Sequence, residues 1–345
     1  MSKKKSGGGR VFLVILCIVL GLILAALITG TVYANYLLGL MNRPDDVPKE
    51  TLSQEQIDAI LKEDTVAPDE STAPEVKEED VDWGQNEGEV IESGTNIVNI
   101  LLIGQDARPG ETNSRSDSMI MVTFNKEQKT ITMTSFLRDL YVSIPGYHDN
   151  RINAAYAMGG MALLKQTIRE NFDLDVDGCI EVDFQNFAQI IDLLGGVTLT
   201  LRQDEADYIN HETEGTLSEG SQTLNGPQAL TYARIRSLDL DGDFSRTDRQ
   251  RKVMAALMES YRKARLSALL PLIREILPML STDLSAGQIL MLALETAPKL
   301  SDATLVSQCI PAPGTYRDQT IDGMSVLVAD MDAARQLLSE TVKQN

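Results

Sequence analysis

The stretch NIVNILLIG at residues 96–104 is a nearly continuous run of β-branched and aliphatic side chains that ends in Gly104. Such a run is typical of a strand buried on both faces of a sheet. The segments MIMVTF (residues 119–124) and TITMTSF (residues 130–136) follow it, and the turn-like NKEQK between them predicts a hairpin. Three strands therefore open the folded part of this chain.

Strands and helices alternate in the sequence beyond this hairpin. Short strands are predicted at CIEVDF (179–184) and VTLTL (197–201), and helical periods at residues 153–171, 185–196, 225–236 and 246–266. The helix at 225–236 has Asn225 as its N-cap and Pro227 in its first turn. This alternation predicts one α/β domain over residues 96–345, a three-layer α/β/α fold with helices on both faces of a central mixed sheet.

An apolar run without charge precedes this domain. Residues 11–34 are 24 residues long, more than the roughly 20 that span a bilayer as a helix. The basic residues 1–10 predict a cytoplasmic amino terminus and an extracellular domain, anchored by a single pass in the cell membrane. A cleaved signal peptide ending near Ala34 is the competing interpretation, but the apolar run is long for one.

Residues 35–95 read as an acidic extracellular linker. From residue 43 to 95 the chain carries 17 acidic and four basic residues and is rich in proline. Such a composition cannot bury enough apolar surface to form a core, and like-charge repulsion favours an extended chain. The acids are interpreted as a solvated spacer, with a calcium or partner site as the alternative, and Trp83 is a candidate for docking on the folded body.

The composition excludes several kinds of chemistry. Two histidines and three cysteines in 345 residues argue against histidine-based zinc sites, Ser-His-Asp triads and four-cysteine metal sites. A net charge of −19 argues against general binding to nucleic acid. Chemistry in this chain must therefore use carboxylates, arginines, hydroxyls or a bound metal.

Two aspartates follow or precede predicted strands. Asp106 leaves the strand at 96–104 and Asp117 enters the next one, so the two strand ends can bring their carboxylates together. Carboxylates with nearby hydroxyls suit a hard cation such as Mg²⁺. The alternative is that both are ordinary turn or cap residues.

Arginines cluster in loops and at helix ends of the acidic domain, where each could bind phosphate oxygens through its guanidinium fork. The alternative is that they form surface ion pairs with Asp139, Asp243 and Asp248, which would contribute little to stability. The arginines in question are Arg138, Arg151, Arg234, Arg236, Arg246, Arg249 and Arg251.

At this point the sequence resembles the LytR-CpsA-Psr family of cell-envelope proteins. The resemblance runs from about residue 96 to 265 and rests on ordered blocks, among them NILLIGQDAR, SRSDSMIMVTFN, ITMTSFLRDLYVSIPG, LNGPQALTYARIR and DFSRTDRQRKVM. It implies a phosphotransferase that moves a glycopolymer from an undecaprenyl-pyrophosphate carrier to peptidoglycan, with the 6-hydroxyl of N-acetylmuramic acid as acceptor. It also implies a pocket for the polyprenyl tail.

The resemblance assigns roles to single residues. The acidic pair for Mg²⁺ (or Mn²⁺) falls on Asp106 and Asp117, and Arg138 joins them as a catalytic residue. The pyrophosphate-binding residues fall on Arg115, Arg138, Arg151, Arg234, Arg236, Arg246 and Gln250. The general base is left open between Asp139 and Asp243.

The sequence leaves two other functions open: a hydrolase that cleaves the pyrophosphate with water, and a non-enzymatic envelope sensor that binds polyprenyl phosphates.

Apolar stripes such as LSALLPLIREILPML (residues 266–280) either line the lipid pocket or form ordinary core. Outside the anchor, Cys179 and Cys309 either form a disulfide or remain as two buried thiols.

Overall fold

A computed structural model describes residues 33, 35–43, 73–84, 96–105, 116–261, 266–300 and 302–343. The predicted anchor, apart from Tyr33, lies outside these residues, as does the loop that carries Asp106 and Arg115. Among the helices so described, none combines the length and the apolar character needed to cross a bilayer.

The strands and helices follow the order that the sequence predicts, with additions. The strands are β1 (Ile97–Gln105), β2 (Ser116–Asn125), β3 (Thr130–Phe136), β4 (Tyr141–Val142), β5 (Asn150–Arg151), β6 (Gly178–Asp183), β7 (Val197–Leu201), β8 (Gly220–Leu224), β9 (Ser281–Thr282), β10 (Thr304–Ile310), β11 (Tyr316–Ile321) and β12 (Met324–Ala329). The helices are α1 (Ile152–Phe172), α2 (Phe184–Leu193), α3 (Gln203–Thr213), α4 (Gly226–Arg234), α5 (Gly242–Tyr261), α6 (Leu266–Ile276), α7 (Ala286–Leu300) and α8 (Met331–Lys343). Short 3₁₀ turns cover Glu78–Asp80 and Leu277–Met279.

The central sheet has the strand order β10-β3-β2-β1-β6-β9 in the described part of the chain. β2 is antiparallel to both β1 and β3, as the predicted hairpin requires. β6 runs parallel to β1 and β10 parallel to β3. The sheet is therefore mixed, and the predicted central mixed sheet is confirmed.

Alternate residues of β1 point to opposite faces of this sheet, and helices cover both faces. Leu101 and Ile103 belong to a core cluster with α1 and α8. Val98 and Ile100 belong to a second cluster with Met258 of α5 and Leu292 of α7. Because both faces are covered, β1 carries the nearly unbroken apolar run that made it recognisable in the sequence.

Local sequence fixes the helices beside the site. The Asp183 carboxylate accepts a hydrogen bond from the Asn186 N–H and so caps α2. The Asn225 side chain caps α4 by accepting from the Gln228 N–H, and the Gln228 side-chain oxygen in turn accepts from the Asn225 N–H. A Cβ at Gly226 would lie 2.0 Å from the Ala188 carbonyl oxygen, so α4 packs against α2 at a distance that requires glycine there.

VTLTL forms the predicted strand β7, but it pairs with β8 in a separate two-stranded ribbon and not with the central sheet. Val197, Leu199 and Leu201 are buried while Thr198 and Thr200 are exposed. This one-sided burial is the alternation expected of a strand whose other face meets solvent.

Part of the predicted linker packs on the domain. Trp83 stacks on Tyr141 with ring centroids 5.8 Å apart, so the proposed docking of the single tryptophan is observed. The Val76 N–H donates to the Thr320 carbonyl of β11 over 2.9 Å. Residues 73–84 therefore contribute to the folded body and are not free spacer.

The two cysteines in the described chain are unpaired and buried, so the disulfide alternative is wrong. Cys179 lies in β6 and Cys309 in β10, four strand spacings apart in the sheet. At about 4.8 Å per spacing the strands are about 19 Å apart, whereas a disulfide needs Cα atoms within about 7 Å. Burial raises the pKa of both thiols, which keeps them in the unreactive protonated form.

Candidate functional site

Asp117 is the second residue of β2, and its carboxylate stands at the end of the central sheet where β1 finishes. Gly104 of β1 is paired with Ser118, and the register shifts between Gly104 and Gln105. The chain then enters the loop with Asp106, outside the described residues. The structure thus places Asp117 where the sequence predicts it, but in a strand and not in a loop.

Arg138 follows β3 and lies among three carboxylates. Its Nη1 donates to Asp117 Oδ1 over 3.0 Å, and its Nε lies 3.5 Å from Asp139 Oδ2 and 3.7 Å from Asp243 Oδ1. Burial alone would lower the pKa of Arg138, but Asp139, Asp243 and Asp117 together raise it above its ordinary value. The guanidinium is therefore permanently charged and joins three segments of chain.

Asp139 links Arg138 to Arg151. Arg151 Nη1 donates to Asp139 Oδ1 over 2.9 Å. The position of Asp139 is fixed by the backbone, because its carbonyl accepts a hydrogen bond from the Leu327 N–H of β12. Burial raises the pKa of the Asp139 carboxyl above its ordinary value, although Arg138 opposes the shift.

Arg246 is the most deeply buried cation of the site. Its side chain is 2% exposed and its Nη2 lies 2.9 Å from Asp243 Oδ1, one turn earlier on α5. Burial lowers the pKa of Arg246 to about 10, opposed by Asp243 and reinforced by Arg138 and Arg236. A cation so poorly solvated beside two others is stabilised by any anion that enters.

Gln250 and Arg234 stand where α5 and α4 meet the sheet. Gln250 Oε1 accepts a hydrogen bond from the Ser118 hydroxyl over 2.9 Å. The Arg234 guanidinium carbon lies 4.9 Å from the centre of the Phe184 ring, a cation–π contact. Because Phe184 is the first residue of α2, this contact ties α4 to α2 at one end of the site.

A polar cavity of about 300 Å³ collects these groups. Its lining contains Asp117, Phe184, Tyr208, Arg234, Arg236, Ser237, Arg246 and Gln250. Three arginines against one aspartate give the lining a net positive charge, although the whole chain is strongly acidic. The cavity therefore suits a multiply charged anion such as a phosphate or pyrophosphate.

An apolar chamber of about 260 Å³ adjoins the polar cavity, and the two share Phe184, Arg234 and Gln250. Its walls come from β1, β2, β6, α2, α4, α5 and the segment at 276–280. On α5 the lining residue Leu257 lies about 10 Å beyond Gln250, at about 1.5 Å per residue. The apolar stripe of α2, with Phe187 and Ile190, therefore lines a chamber and is not simply core.

The structure brings most of the predicted site residues together. Five of those described line the polar cavity: Asp117, Arg234, Arg236, Arg246 and Gln250. Arg138 contacts Asp117 directly, and Asp139 links Arg138 to Arg151. Arg249 does not join them: it is buried against Glu205, with 2.9 Å between Nε and Oε1. Arg251 likewise donates through Nε to the Ser307 hydroxyl at 2.7 Å, so both have structural roles.

Sequence reasoning missed Phe184, Tyr208 and Ser237. Phe184 could have been suspected because it follows the helix-capping Asp183 at a strand end. Tyr208 gave no signal, since α3 is polar and its helix was not predicted.

A divalent cation fits the donor set in part. Asp117 offers a carboxylate that is 25% exposed in its side chain and borders the polar cavity. Ser116 precedes it with a buried hydroxyl that has no hydrogen-bond partner among the described atoms. Within the same residues, no group of three His, Cys, Asp or Glu side chains could hold a metal ion. Asp106 is the ligand that the sequence adds to this set.

Comparison with solved structures finds a similar protein with a bound lipid. The chain matches the structure titled "LytR-CPS2A-psr family protein YwtF (TagT) with bound octaprenyl pyrophosphate lipid" at a TM-score of 0.56 and 26% identity. The match covers 72% of this chain and 90% of that one. That protein therefore holds a ligand with an apolar chain and a pyrophosphate head.

Curated relatives agree with this match. The polyisoprenyl-teichoic acid–peptidoglycan teichoic acid transferase TagT of Bacillus subtilis (strain 168) is 38% identical over 173 residues, 48% of this chain and 53% of that protein. The regulatory protein MsrR of Staphylococcus aureus (strain COL) is 33% identical over 224 residues, 64% of this chain and 66% of that protein. The chain thus spans about half of the first relative's length and two thirds of the second's.

The family model described as "LytR_cpsA_psr family" matches residues 58–343. It starts within the predicted linker, before the segment that packs on Tyr141, and ends in α8. The resemblance found in the sequence is confirmed over more than the expected blocks. The chain belongs to the LytR_cpsA_psr family.

Proposed function

We propose that this chain is a phosphotransferase that attaches an undecaprenyl-pyrophosphate-linked glycopolymer, such as a teichoic acid or capsule, to peptidoglycan. The observation that carries the proposal is the common wall of the two cavities at Phe184, Arg234 and Gln250. An apolar chamber that opens into an arginine-rich cavity suits one ligand with an isoprenoid tail and a pyrophosphate head. The names of TagT and of the lipid-bound structure support the same substrate class.

The proposed reaction breaks the phosphoanhydride bond of the donor and forms a phosphodiester with the acceptor. The 6-hydroxyl oxygen of N-acetylmuramic acid attacks the phosphorus that carries the saccharide. The bond from that phosphorus to the bridging oxygen breaks, polyprenyl monophosphate leaves, and the saccharide phosphate is joined to the acceptor. The acceptor proton passes to a protein carboxylate, and the arginines stabilise the charge that develops on the phosphate oxygens.

The arginines divide this work by position. Arg234, Arg236 and Arg246 line the polar cavity and would contact the pyrophosphate oxygens directly. Arg138 and Arg151, held by Asp139, stand behind Asp117 and would hold its carboxylate and the attacking side of the phosphate in place. Asp139 and Asp243, the two carboxylates that flank the Nε atom of Arg138, are the candidates for taking the acceptor proton.

Mg²⁺ or Mn²⁺ is part of this proposal, with Asp106 and Asp117 as its protein ligands. When bound, the ion would neutralise phosphate charge and so make the carrier phosphate a better leaving group. The Asp117 carboxylate that borders the polar cavity supports a hard cation, because such ions prefer oxygen ligands.

The proposed location is the outer face of the cell membrane. Residues 11–34 would cross the membrane once, with residues 1–10 in the cytoplasm and the catalytic domain outside. An anchored enzyme meets its lipid-linked donor at a high effective concentration. The charge pattern of residues 1–34 supports this topology.

Product analysis with the full-length chain tests the proposal. The reaction would contain a polyprenyl-pyrophosphate-linked saccharide, Mg²⁺ and peptidoglycan oligomers. We expect an acceptor-linked saccharide from the wild type, and none from Asp117→Ala or Arg138→Ala. Asp248→Ala and Arg169→Ala, which change exposed side chains outside the site, should retain activity. Equal product from the wild type and the site variants would refute the proposal.

A further inference from the structure

The chain that follows the predicted anchor is attached to one edge of the central sheet. We name residues 35–43 the docking segment. The Asn42 N–H donates to the Leu280 carbonyl over 3.0 Å, the Thr282 N–H donates to the Asn42 carbonyl over 3.0 Å, and Asn42 Nδ2 donates to the Pro278 carbonyl over 2.8 Å. Leu37, Leu38 and Met41 are buried. The segment is thus held by a short bridge beside β9 and by its own apolar side chains.

The docking segment attaches directly to a wall of the apolar chamber. Leu280, which accepts its hydrogen bond, lines the chamber together with Ile276. The fold therefore fixes the position of residue 42 relative to the space assigned above to the isoprenoid chain. The acidic stretch at residues 44–72 enters the chain after this point, so it does not separate the anchor from the chamber wall.

Apolar side chains form a half-exposed strip beside this attachment. Over residues 271–280, at the end of α6 and in the turn that follows it, Arg274 and Glu275 are exposed, as are Pro271 and Pro278. The half-buried side chains of this stretch are all apolar: Leu272, Ile273, Ile276, Leu277, Met279 and Leu280. We name these six residues the apolar strip. A helix with apolar residues on one side and charge on the other is typical of a segment that lies at a membrane surface.

Two exposed aromatic side chains stand at the start of the same region. Tyr33 and Tyr36 are 44% and 51% exposed and stack on each other with ring centroids 6.4 Å apart. Tyr33 is the next-to-last residue of the predicted anchor at residues 11–34, and Tyr36 follows that anchor directly. Tyrosine is enriched at the level of the lipid headgroups, where its ring meets acyl chains and its hydroxyl meets water.

We propose that Tyr33, Tyr36 and the apolar strip form a surface that contacts the lipid bilayer, and that the docking segment holds the chamber wall at Ile276 and Leu280 against it. The isoprenoid chain of the donor then passes from the bilayer into the chamber without crossing water. This inference rests on the proposed function for the identity of the ligand. The contact of the surface with lipid stands independently of catalysis.

Two donors that differ only in chain length test the passage of lipid. Asn42→Pro removes both the N–H and the Nδ2 donors of the bridge, and Arg43→Ala, at a neighbouring exposed position, is its control. With an undecaprenyl donor in vesicles we expect Asn42→Pro to lose activity about tenfold or more, because the lipid pathway is no longer held at the membrane. With a water-soluble short-chain donor we expect it to match the wild type.

An equal effect on both donors, or an effect on neither, would overturn the inference. Turnover of neither donor by the wild type would contradict the proposed function, and a second measurement then decides the inference alone. A nitroxide is placed at Leu277→Cys in the chain whose native cysteines are alanine, and a control label at the exposed Glu219→Cys. In vesicles of phosphatidylglycerol and phosphatidylcholine we expect the label at 277 to collide more with oxygen than with a water-soluble nickel chelate.

The control label at 219 should show the reverse preference. Adding Asn42→Pro should move the label at 277 toward the water-exposed pattern. Equal exposure of both labels to the nickel chelate would show that the apolar strip does not meet the membrane, whatever the activity of the chain.

Discussion

Arg246 has a buried Nε atom without a hydrogen-bond acceptor among the described atoms, although its Nη2 contacts Asp243. The Nε atom of Arg138 makes no hydrogen bond to the described atoms either, but it lies within 3.7 Å of both Asp139 and Asp243. A buried charged donor without an acceptor is costly, and Arg246 lines the polar cavity. An anion in the cavity would therefore stabilise Arg246 more than Arg138.

Arg246→Met should lower both the stability of the domain and its transfer activity. The substitution removes a guanidinium that is 2% exposed and pairs with Asp243 over 2.9 Å, and it leaves Asp243 with the longer contact to Arg138 at 3.7 Å. We expect the free energy of unfolding to fall by about 3 kcal/mol, because the partner of a largely buried carboxylate is lost. Transfer activity should be lost because a cation of the polar cavity is missing.

Urea unfolding and product assays on the same preparation measure both effects. Gln250→Met, which loses a neutral partner of Ser118, serves as the control on the same helix. Unchanged stability in Arg246→Met would show that Arg138 alone compensates the Asp243 carboxylate.

The pH dependence of transfer should report Asp139. Burial raises the pKa of Asp139, so its carboxylate becomes protonated at a higher pH than an ordinary aspartate at about 3.9. If Asp139 takes the proton from the acceptor hydroxyl, kcat/KM falls as the pH drops through this raised pKa.

The stability of the fold depends on pH in the opposite direction. The contribution of Asp139 to the free energy of unfolding is fully present below the ordinary aspartate pKa and is lost as the pH rises through the raised pKa of the folded state.

Asp139→Asn should lower kcat by about 10²- to 10⁴-fold and abolish this acid limb. The comparison is Asp243→Asn, whose carboxylate contacts Arg138 and Arg246. An acid limb that survives in Asp139→Asn with near wild-type activity would assign the base to Asp243.

At the residue scale, the sequence predicted the charged groups better than their neighbours. The arginines were recognisable because charged residues beside apolar segments are unusual in an acidic domain. Phe184 and Tyr208 were not, because an aromatic residue in a helix is by default part of a core. Arg249 lies in the same arginine-rich segment as Arg246, and its ion pair with Glu205 becomes apparent only in the three-dimensional structure.

At the element scale, the apolar chamber exists because α2, α4 and α5 pack around the end of β1 and β6 without filling the space between them. Cores are normally packed without such voids. The lining residues Phe187, Met254 and Leu257 come from two of these helices. A chamber maintained at this cost in packing indicates a ligand that completes it.

Filling the chamber should separate lipid binding from folding. Met254→Trp puts a larger apolar side chain into the lining, so we expect binding of octaprenyl pyrophosphate to weaken by about tenfold or more. Met291→Trp, at a position 58% exposed on α7, is the size-matched control. Fluorescence-detected binding and thermal unfolding check the two effects, and undiminished binding by Met254→Trp would place the lipid elsewhere.

Gly160 of α1 should be needed for stability because of its backbone conformation. Gly160 has φ 63° and ψ −152°, a conformation that interrupts the helix and that other residues rarely adopt. We expect Gly160→Ala to lower the free energy of unfolding by about 1–3 kcal/mol. Gly287→Ala, near the start of α7 with no atom closer than 4.0 Å, should stabilise slightly in the same urea experiment. Equal midpoints for both variants would show that α1 straightens without cost.

Hydrophobic periodicity predicted most elements but not how the strands pair. β1, β2, β3 and β6 were recognisable because their apolar runs reflect burial in the central sheet. β7 looked similar in type, and its separate pairing with β8 depends on contacts that are distant in sequence. The polar helix α3 was missed because few of its side chains are buried.

At the scale of the whole molecule, the polar cavity has a charge opposite in sign to that of the chain as a whole. The chain carries −19, but the surface of its polar cavity is rich in arginine. An acidic exterior repels anionic polymers in general, whereas the arginine-rich cavity attracts a phosphate group. Under the proposed function, this separation would let the molecule discriminate between the reacting end of an anionic polymer and the rest of it.

The stability of the domain should depend on part of the predicted linker. A chain that begins at residue 96 loses the stacking of Trp83 on Tyr141 and the bond from Val76 to Thr320. Relative to a chain that begins at residue 73, we expect its free energy of unfolding to fall by about 2 kcal/mol. Trp83→Ala in the longer chain should account for much of the difference, and equal unfolding midpoints would show that residues 73–84 only rest on the surface.

The limits of sequence reasoning at this scale come from composition. Residues 73–84 share the acidic character of their surroundings, and their docking depends on a few apolar side chains such as Val81 and Trp83. The docking segment was likewise assigned to the linker, because its nine residues show no hydrophobic periodicity that would indicate a surface on which they pack. Both segments are recognised only when the surface that receives them is known.

The most direct test of the transferase mechanism is the phosphate balance of a single reaction. The wild-type chain would turn over a polyprenyl-pyrophosphate-linked saccharide with peptidoglycan oligomers, and mass spectrometry would quantify every phosphorylated product. Transfer of a saccharide phosphate predicts one polyprenyl monophosphate released for each acceptor that gains a phosphodiester-linked saccharide. Release of polyprenyl pyrophosphate, free saccharide phosphate with an unmodified acceptor, or lipid binding without turnover would each contradict it.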